Sequence, residues 1–70
     1  MISYIYKADN VHTTITLTHV DNVFRVTKYY KNPMCRGLSH SFETDNFGFA
    51  TAKFFEYCRM HNMSNLIRKF

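Results

Sequence analysis

The residues Ile15-Thr16-Leu17-Thr18-His19-Val20-Asp21-Asn22-Val23-Phe24-Arg25-Val26 alternate in polarity on both sides of an Asp-Asn pair. Alternation at period two is the mark of a half-buried strand. Asp and Asn tolerate left-handed backbone angles, so the pair suits a two-residue hairpin loop. Folded about Asp21-Asn22, Leu17 faces Val26 and His19 faces Phe24. The apolar face continues through Tyr30, and the opposite face carries Arg25, Thr27, Tyr29 and Lys31. Lys28 falls on the core side, where its stem can lie along apolar surface near an edge.

The same reading works outward in both directions. Asp9-Asn10 repeats the turn signal toward the N-terminus. Taken as a second two-residue loop, it sets Ala8 opposite Val11, Tyr6 opposite Thr13, Tyr4 opposite Ile15 and Ile2 opposite Leu17. The other face is then Ser3, Ile5 and Lys7 with His12, Thr14, Thr16 and Thr18. A slip of one residue would mix the two faces, so alternation pins the register. Toward the C-terminus, a looser turn at Asn32-Pro33 through Gly37 leads into a fourth strand, Leu38 to Glu43.

A helix follows, capped by Thr44 or Asp45 and ended at Asn62. Phe47, Ala50, Thr51, Phe54, Cys58 and His61 share one of its faces at 100° per residue. Lys53, Glu56 and Arg59 lie outside, together with Phe49, Met60 and Met63. The tail, 64–70, reads as a short amphipathic piece with Leu66, Ile67 and Phe70, a candidate second helix capped by Ser64. The expectation is a single α+β domain, 1–70, in two layers. A four-stranded antiparallel meander (1–43) packs one face on one long helix (45–62). The buried set is Tyr4, Tyr6, Ile15, Leu17, Phe24, Val26, Phe42, Phe47 and Phe54.

Composition bounds the function. Seventy residues with 46% hydrophobic content, two Gly and one Pro describe one small folded domain, neither disordered nor collagenous. A core of this size rarely supplies more than ~3–5 kcal/mol, so partner binding or self-association often adds to it. A cofactor pocket would consume much of that core, and no cofactor is expected. No apolar run approaches the ~18 residues of a membrane span. Met1 leads straight into alternating residues without a basic leader, so the expected location is the cytoplasm. Nine Lys and Arg against five Asp and Glu give +4, which suits nucleic acid or an acidic protein and argues against a DNA mimic.

Catalytic signatures are absent: no G-x-S-x-G, no phosphate-binding glycine loop, no H-E-x-x-H. An enzyme is not expected. Cys35, His40, Cys58 and His61 match the ligand count of a tetrahedral zinc site. Their spacing, Cys35-x4-His40 and Cys58-x2-His61, lacks the C-x-x-C knuckle of common fingers. Two buried thiols are the simpler reading, and no metal is expected.

Two surfaces are candidates for binding. One is the bare sheet face, where Lys7, Arg25, Tyr29 and Lys31 lie together. Single-stranded nucleic acid binds such faces by stacking bases on aromatics while cations track phosphates. Its plain alternative is a solvated, threonine-rich face. The other is the outer helix, where Phe49, Met60 and Met63 stand beside Lys53 and Arg59, with Arg36 in the basic turn nearby. An exposed apolar stripe of this kind marks an interface unless the tail folds over it. The fourth strand, an edge unblocked by Lys or Pro at Ser39-His40-Ser41, could pair with another strand. The partners expected are a protein, a second copy of the chain, or nucleic acid, and no membrane.

Tight hairpins at Asp9-Asn10 and Asp21-Asn22, the lead-in Ser41-Phe42-Glu43-Thr44 and the helical Phe54-Phe55-Glu56-Tyr57 together form an architecture. It resembles the small phage-encoded anti-CRISPR and other anti-defence proteins. The resemblance implies a stoichiometric protein that binds and blocks a larger protein or nucleoprotein target, and it carries over no individual functional residue. The positive charge departs from the acidic members of that group.

Overall fold

A computed structural model describes residues 2–32, 34 and 39–70. Five antiparallel strands form one sheet, and one helix covers one of its faces, an α+β fold in two layers. The strands are β1 (Ile2–Asp9), β2 (Thr13–Val20), β3 (Val23–Tyr30), β4 (His40–Thr44) and β5 (Ile67–Lys69), in the spatial order β4-β3-β2-β1-β5. The helix α1 spans Phe47–Met60.

The β2–β3 hairpin forms in the expected register, with Leu17 opposite Val26, His19 opposite Phe24 and Val20 opposite Val23. Asp21 takes φ 55°, the left-handed angle the turn needs. The β1–β2 hairpin differs. Ala8 faces Ile15 rather than Val11, and Tyr6 faces Leu17 rather than Thr13, four residues along. The cause lies in the loop. The Asn10 side-chain oxygen accepts from the amides of His12 and Thr13 at 2.8 and 2.7 Å, and Asn10 donates its own amide to the Thr13 carbonyl at 3.0 Å. Those bonds hold a longer loop closed at the Asp9–Thr14 pair. Because the shift is even, Tyr6, Ala8, Ile15 and Leu17 still share the core face.

A second difference lies further down β1. The register slips between Tyr4 and Tyr6, so that Tyr4 faces Thr18 and Ile2 faces Val20. An extra residue in one strand turns every side chain beyond it to the other face. Ile5, expected outside, packs on the core, while Tyr4, expected inside, is 54% exposed.

The cap of helix α1 falls two residues after Thr44 and one after Asp45, the two expected caps. Asn46 is the N-cap, its side-chain oxygen accepting from the Phe49 amide at 2.9 Å, and Thr44 accepts from the Asn46 amide instead. Ala50, Phe54 and Cys58 are fully buried on the sheet, and the Tyr6 ring stacks on Phe54 at 5.6 Å. Phe47, expected in the core, lies at the rim against Phe24 and remains 47% exposed. Lys28 is buried on the core side as expected, its ammonium 4.8 Å from the centre of the Tyr57 ring.

The helix ends at Met60, and a paired reversal follows at Asn62 (φ 56°). The Met63 amide donates to the Cys58 carbonyl at 2.7 Å and the Asn62 amide to the Arg59 carbonyl at 3.2 Å. This corrects the placement of Met63. It does not extend the outer stripe; the reversal folds it under the helix, where it is fully buried. The tail then makes a 3-10 turn, Ser64–Leu66, and joins the sheet as β5 instead of forming a second helix. The fourth strand begins at His40; Leu38, Cys35 and Arg36 lie outside the described residues.

Burial distinguishes the two late methionines. Met63→Ala is expected to cost ~2–5 kcal/mol in urea unfolding, the usual range for emptying a buried Met site. Met60→Ala, on the exposed side, is expected to stay within about 0.5 kcal/mol of wild type.

Candidate functional site

The sheet face away from the helix is organised in rows set by strand register. One row runs Arg68–Lys7–Thr16–Thr27–Ser41 across all five strands. A second runs Tyr4–Thr18–Arg25–Glu43, and a third Asp9–Thr14–Tyr29. The bulge in β1 brings Tyr4 to this face. Strand β5 brings Arg68, and Phe70, the residue after the strand, sets its ring 5.8 Å from that of Tyr4. Phe70 is held there by its amide, which donates to the Ile5 carbonyl at 3.0 Å.

The result is an aromatic pair at one corner, Tyr29 at the opposite corner, and a floor of threonines between them. From strand rise and spacing the two corners stand roughly 16 Å apart. Threonines suit such a floor, since their branched side chains lie flat on a pleated surface. The Thr18 hydroxyl donates to the Arg25 carbonyl at 3.3 Å.

The charges on this face are partly paired. Arg25 grips Glu43 through Nε and Nη2 at 3.3 and 3.0 Å, both side chains partly exposed. Lys31 reaches Asp9 at 2.7 Å and donates to the Asn10 carbonyl at 2.7 Å, so it clamps the first hairpin loop. Such exposed pairs contribute little stability each. The Lys31 ammonium, followed by the Thr14 hydroxyl, holds the Asp9 carboxyl below its ordinary 3.8. Lys7 and Arg68 make no ion pair among the described residues.

The outer helix set is dispersed by comparison. Phe49 stacks on Phe42 of β4 at 5.6 Å, and Lys53 lies over the Phe42 and Tyr57 rings and 3.9 Å from Glu56. Arg59 and Met60 are exposed, Met63 is in the core, and Arg36 lies outside the described residues. Phe49 therefore packs on β4 while Met60 stands eleven residues further along the helix, and with Met63 in the core the three do not form one stripe.

Of the proposed metal set, His40 is exposed on β4, Cys58 is in the core and His61 meets the Tyr30 hydroxyl at 3.5 Å. Cys35 lies outside the described residues. Among the described residues no three His, Cys, Asp or Glu side chains gather into a metal-binding group. Burial pushes the Cys58 thiol up to about 11, which keeps it protonated near neutral pH. Burial and then the Lys28 charge lower the pKa of His61. Among the described residues no helix is long and apolar enough to cross a membrane.

Comparison with protein families, curated proteins and solved structures finds no match for this chain.

The residues that sequence reasoning missed are Tyr4, Phe70 and Arg68. One signal was present. Tyr4-Ile5-Tyr6 is a run of large apolar side chains that strict alternation cannot seat on one face, which is the mark of a bulge.

The Asp9 cluster generates a pH dependence. A carboxyl whose folded pKa is depressed stabilises the fold above its unfolded pKa, and that contribution is lost as pH falls through the folded value. The melting temperature is expected to fall on acidification below about pH 4. Asp9→Asn is expected to melt lower at neutral pH and to show a shallower acid decline, measured by circular dichroism across the acid range.

Proposed function

We propose that this chain is a small, non-enzymatic binding protein that takes single-stranded nucleic acid across the open face of its sheet. The observation that carries the reading is the Tyr4–Phe70 pair, 54% and 66% exposed, on the same face as Lys7, Arg25 and Arg68. A soluble fold has little reason to hold two large aromatic rings in water side by side. Bases have a π-face that such rings accept, and the cations between the two aromatic corners can follow the phosphates. The chain's net +4 has the sign a polyanion requires.

A second reading, a phage-type inhibitor of a protein or nucleoprotein target, rests on the β4 edge. Phe49 stands against its Phe42 and is 57% exposed, and Met60, at the far end of the helix, is 61% exposed. An open strand edge next to apolar side chains suits addition of a partner's strand. Arg59 and Lys53 would then face an acidic rim.

Labelled oligothymidylate tests the first reading by fluorescence anisotropy. Binding is expected to weaken as salt rises, since phosphate contacts release counterions. Tyr4→Ala and Tyr29→Ala are each expected to lose ~1–3 kcal/mol of binding, the usual effect of removing one stacking ring. Met60→Ala is expected to leave it unchanged. A wild-type protein that shifts no oligonucleotide at low salt, yet sediments as a dimer that Met60→Asp dissociates, would replace this reading with the second.

A further inference from the structure

Lys7 and Arg68 are direct cross-strand partners on β1 and β5. Like charges set opposite one another in a sheet destabilise it. They also border a cleft of about 290 Å³, shared with Asp9, Asn65, Leu66 and Ile67. Asp9, the one carboxylate of the cleft, is already engaged by Lys31 at 2.7 Å and by the Thr14 hydroxyl at 2.7 Å. Lys7 acts on Asp9 only through its charge, after Lys31 and Thr14, and among the described residues neither Lys7 nor Arg68 makes an ion pair; Asn65 borders the cleft beside them. An arginine fork and a lysine ammonium together match a phosphate, the fork through paired hydrogen bonds and the ammonium as a point charge.

The neighbours say which phosphate. Tyr4 and Phe70 lie on the same two strands' open face, Tyr4 one row from Lys7 and Phe70 two residues beyond Arg68. We infer that the β1–β5 cleft is a phosphate subsite, holding the phosphate next to the nucleotide whose base stacks on Tyr4 and Phe70. This inference rests on the nucleic-acid reading above and deepens it by assigning a polarity-setting contact. The occupant is a phosphate oxyanion, supplied either by a 5′-terminal phosphate or by an internal diester.

Arg68→Gln and Lys69→Gln provide the test. Each removes one positive charge from β5, but Lys69 is the cross-strand partner of Tyr6 and so belongs to the opposite face. Oligothymidylate affinity is measured over a salt series with a 5′-hydroxyl and a 5′-phosphate end, alongside melting curves of the free proteins. Arg68→Gln is expected to weaken binding several-fold and to reduce the slope of log affinity against log salt by about 0.7, the share of one phosphate contact on a single strand. It is also expected to raise the melting temperature by relieving the like-charge pair. Lys69→Gln is expected to change the slope by much less. A preference for the 5′-phosphate that Arg68→Gln abolishes assigns the subsite to a chain end. A loss equal for both ends assigns it to an internal diester.

Equal slope changes in Arg68→Gln and Lys69→Gln would overturn the subsite while leaving sheet-face binding in place. In the absence of any oligonucleotide binding, titration of the labelled protein with inorganic phosphate separates the remaining cases. Amide shifts confined to Lys7, Asn65 and Arg68 would overturn the nucleic-acid reading and retain an anion site. No shifts would overturn both.

Discussion

The hydrogen bond from the Met63 amide to the Cys58 carbonyl, 2.7 Å long, is the point on which one half of the molecule depends. Asn62 accepts the left-handed angle that makes the bond geometrically available. The bond turns the chain back beneath the helix, and Met63 fills core volume beside Cys58. Only from that position can three more residues reach the exposed side of β1 and pair with Tyr6, Lys7 and Ala8. Without the reversal there is no fifth strand, no Arg68 opposite Lys7, and no Phe70 beside Tyr4.

The bulge in β1 works in concert with that tail. A regular β1 would keep Tyr4 under the helix, as alternation alone requires, and Phe70 would have no ring to meet. With the slip between Tyr4 and Tyr6, one aromatic serves the core by stacking on Phe54 and its neighbour serves the open face. Bulges often re-aim a side chain at functional positions, and their cost is local. Two irregularities, one in a strand and one at a helix end, therefore converge on a single corner of the sheet.

Legibility followed locality. The β2–β3 hairpin was readable because a two-residue turn and strict alternation specify the same register. The helix was readable because its apolar spacing and its Asn terminator agree. The first hairpin misled because Asn10 has a side chain that can gather two loop amides, a choice that polarity patterns do not encode. The face of Tyr4 depended on a bulge, and the place of Met63 on a reversal that sends the chain inward rather than onward. The candidate site suffered most from this. Lys7, Arg25 and Tyr29 were placed on the open face by alternation, whereas Tyr4, Arg68 and Phe70 arrive there through long-range pairing. Met63 was lost from the helix surface for the same reason.

The two borders of the sheet are unequal, and that inequality governs how copies of the chain could assemble. Strand β5 forms one border with only three residues, two of them the charged Arg68 and Lys69. Short, basic edges resist pairing with another backbone. Strand β4 forms the other with five residues, and no lysine or proline interrupts it. A filament of strands needs two sticky borders per molecule, one to receive and one to extend. Pairing of β4 with a second β4 about a two-fold axis would close on itself and use up both of those edges. The same tail that builds the corner around Tyr4 thus also makes the border at Tyr6–Ala8 the less receptive of the two.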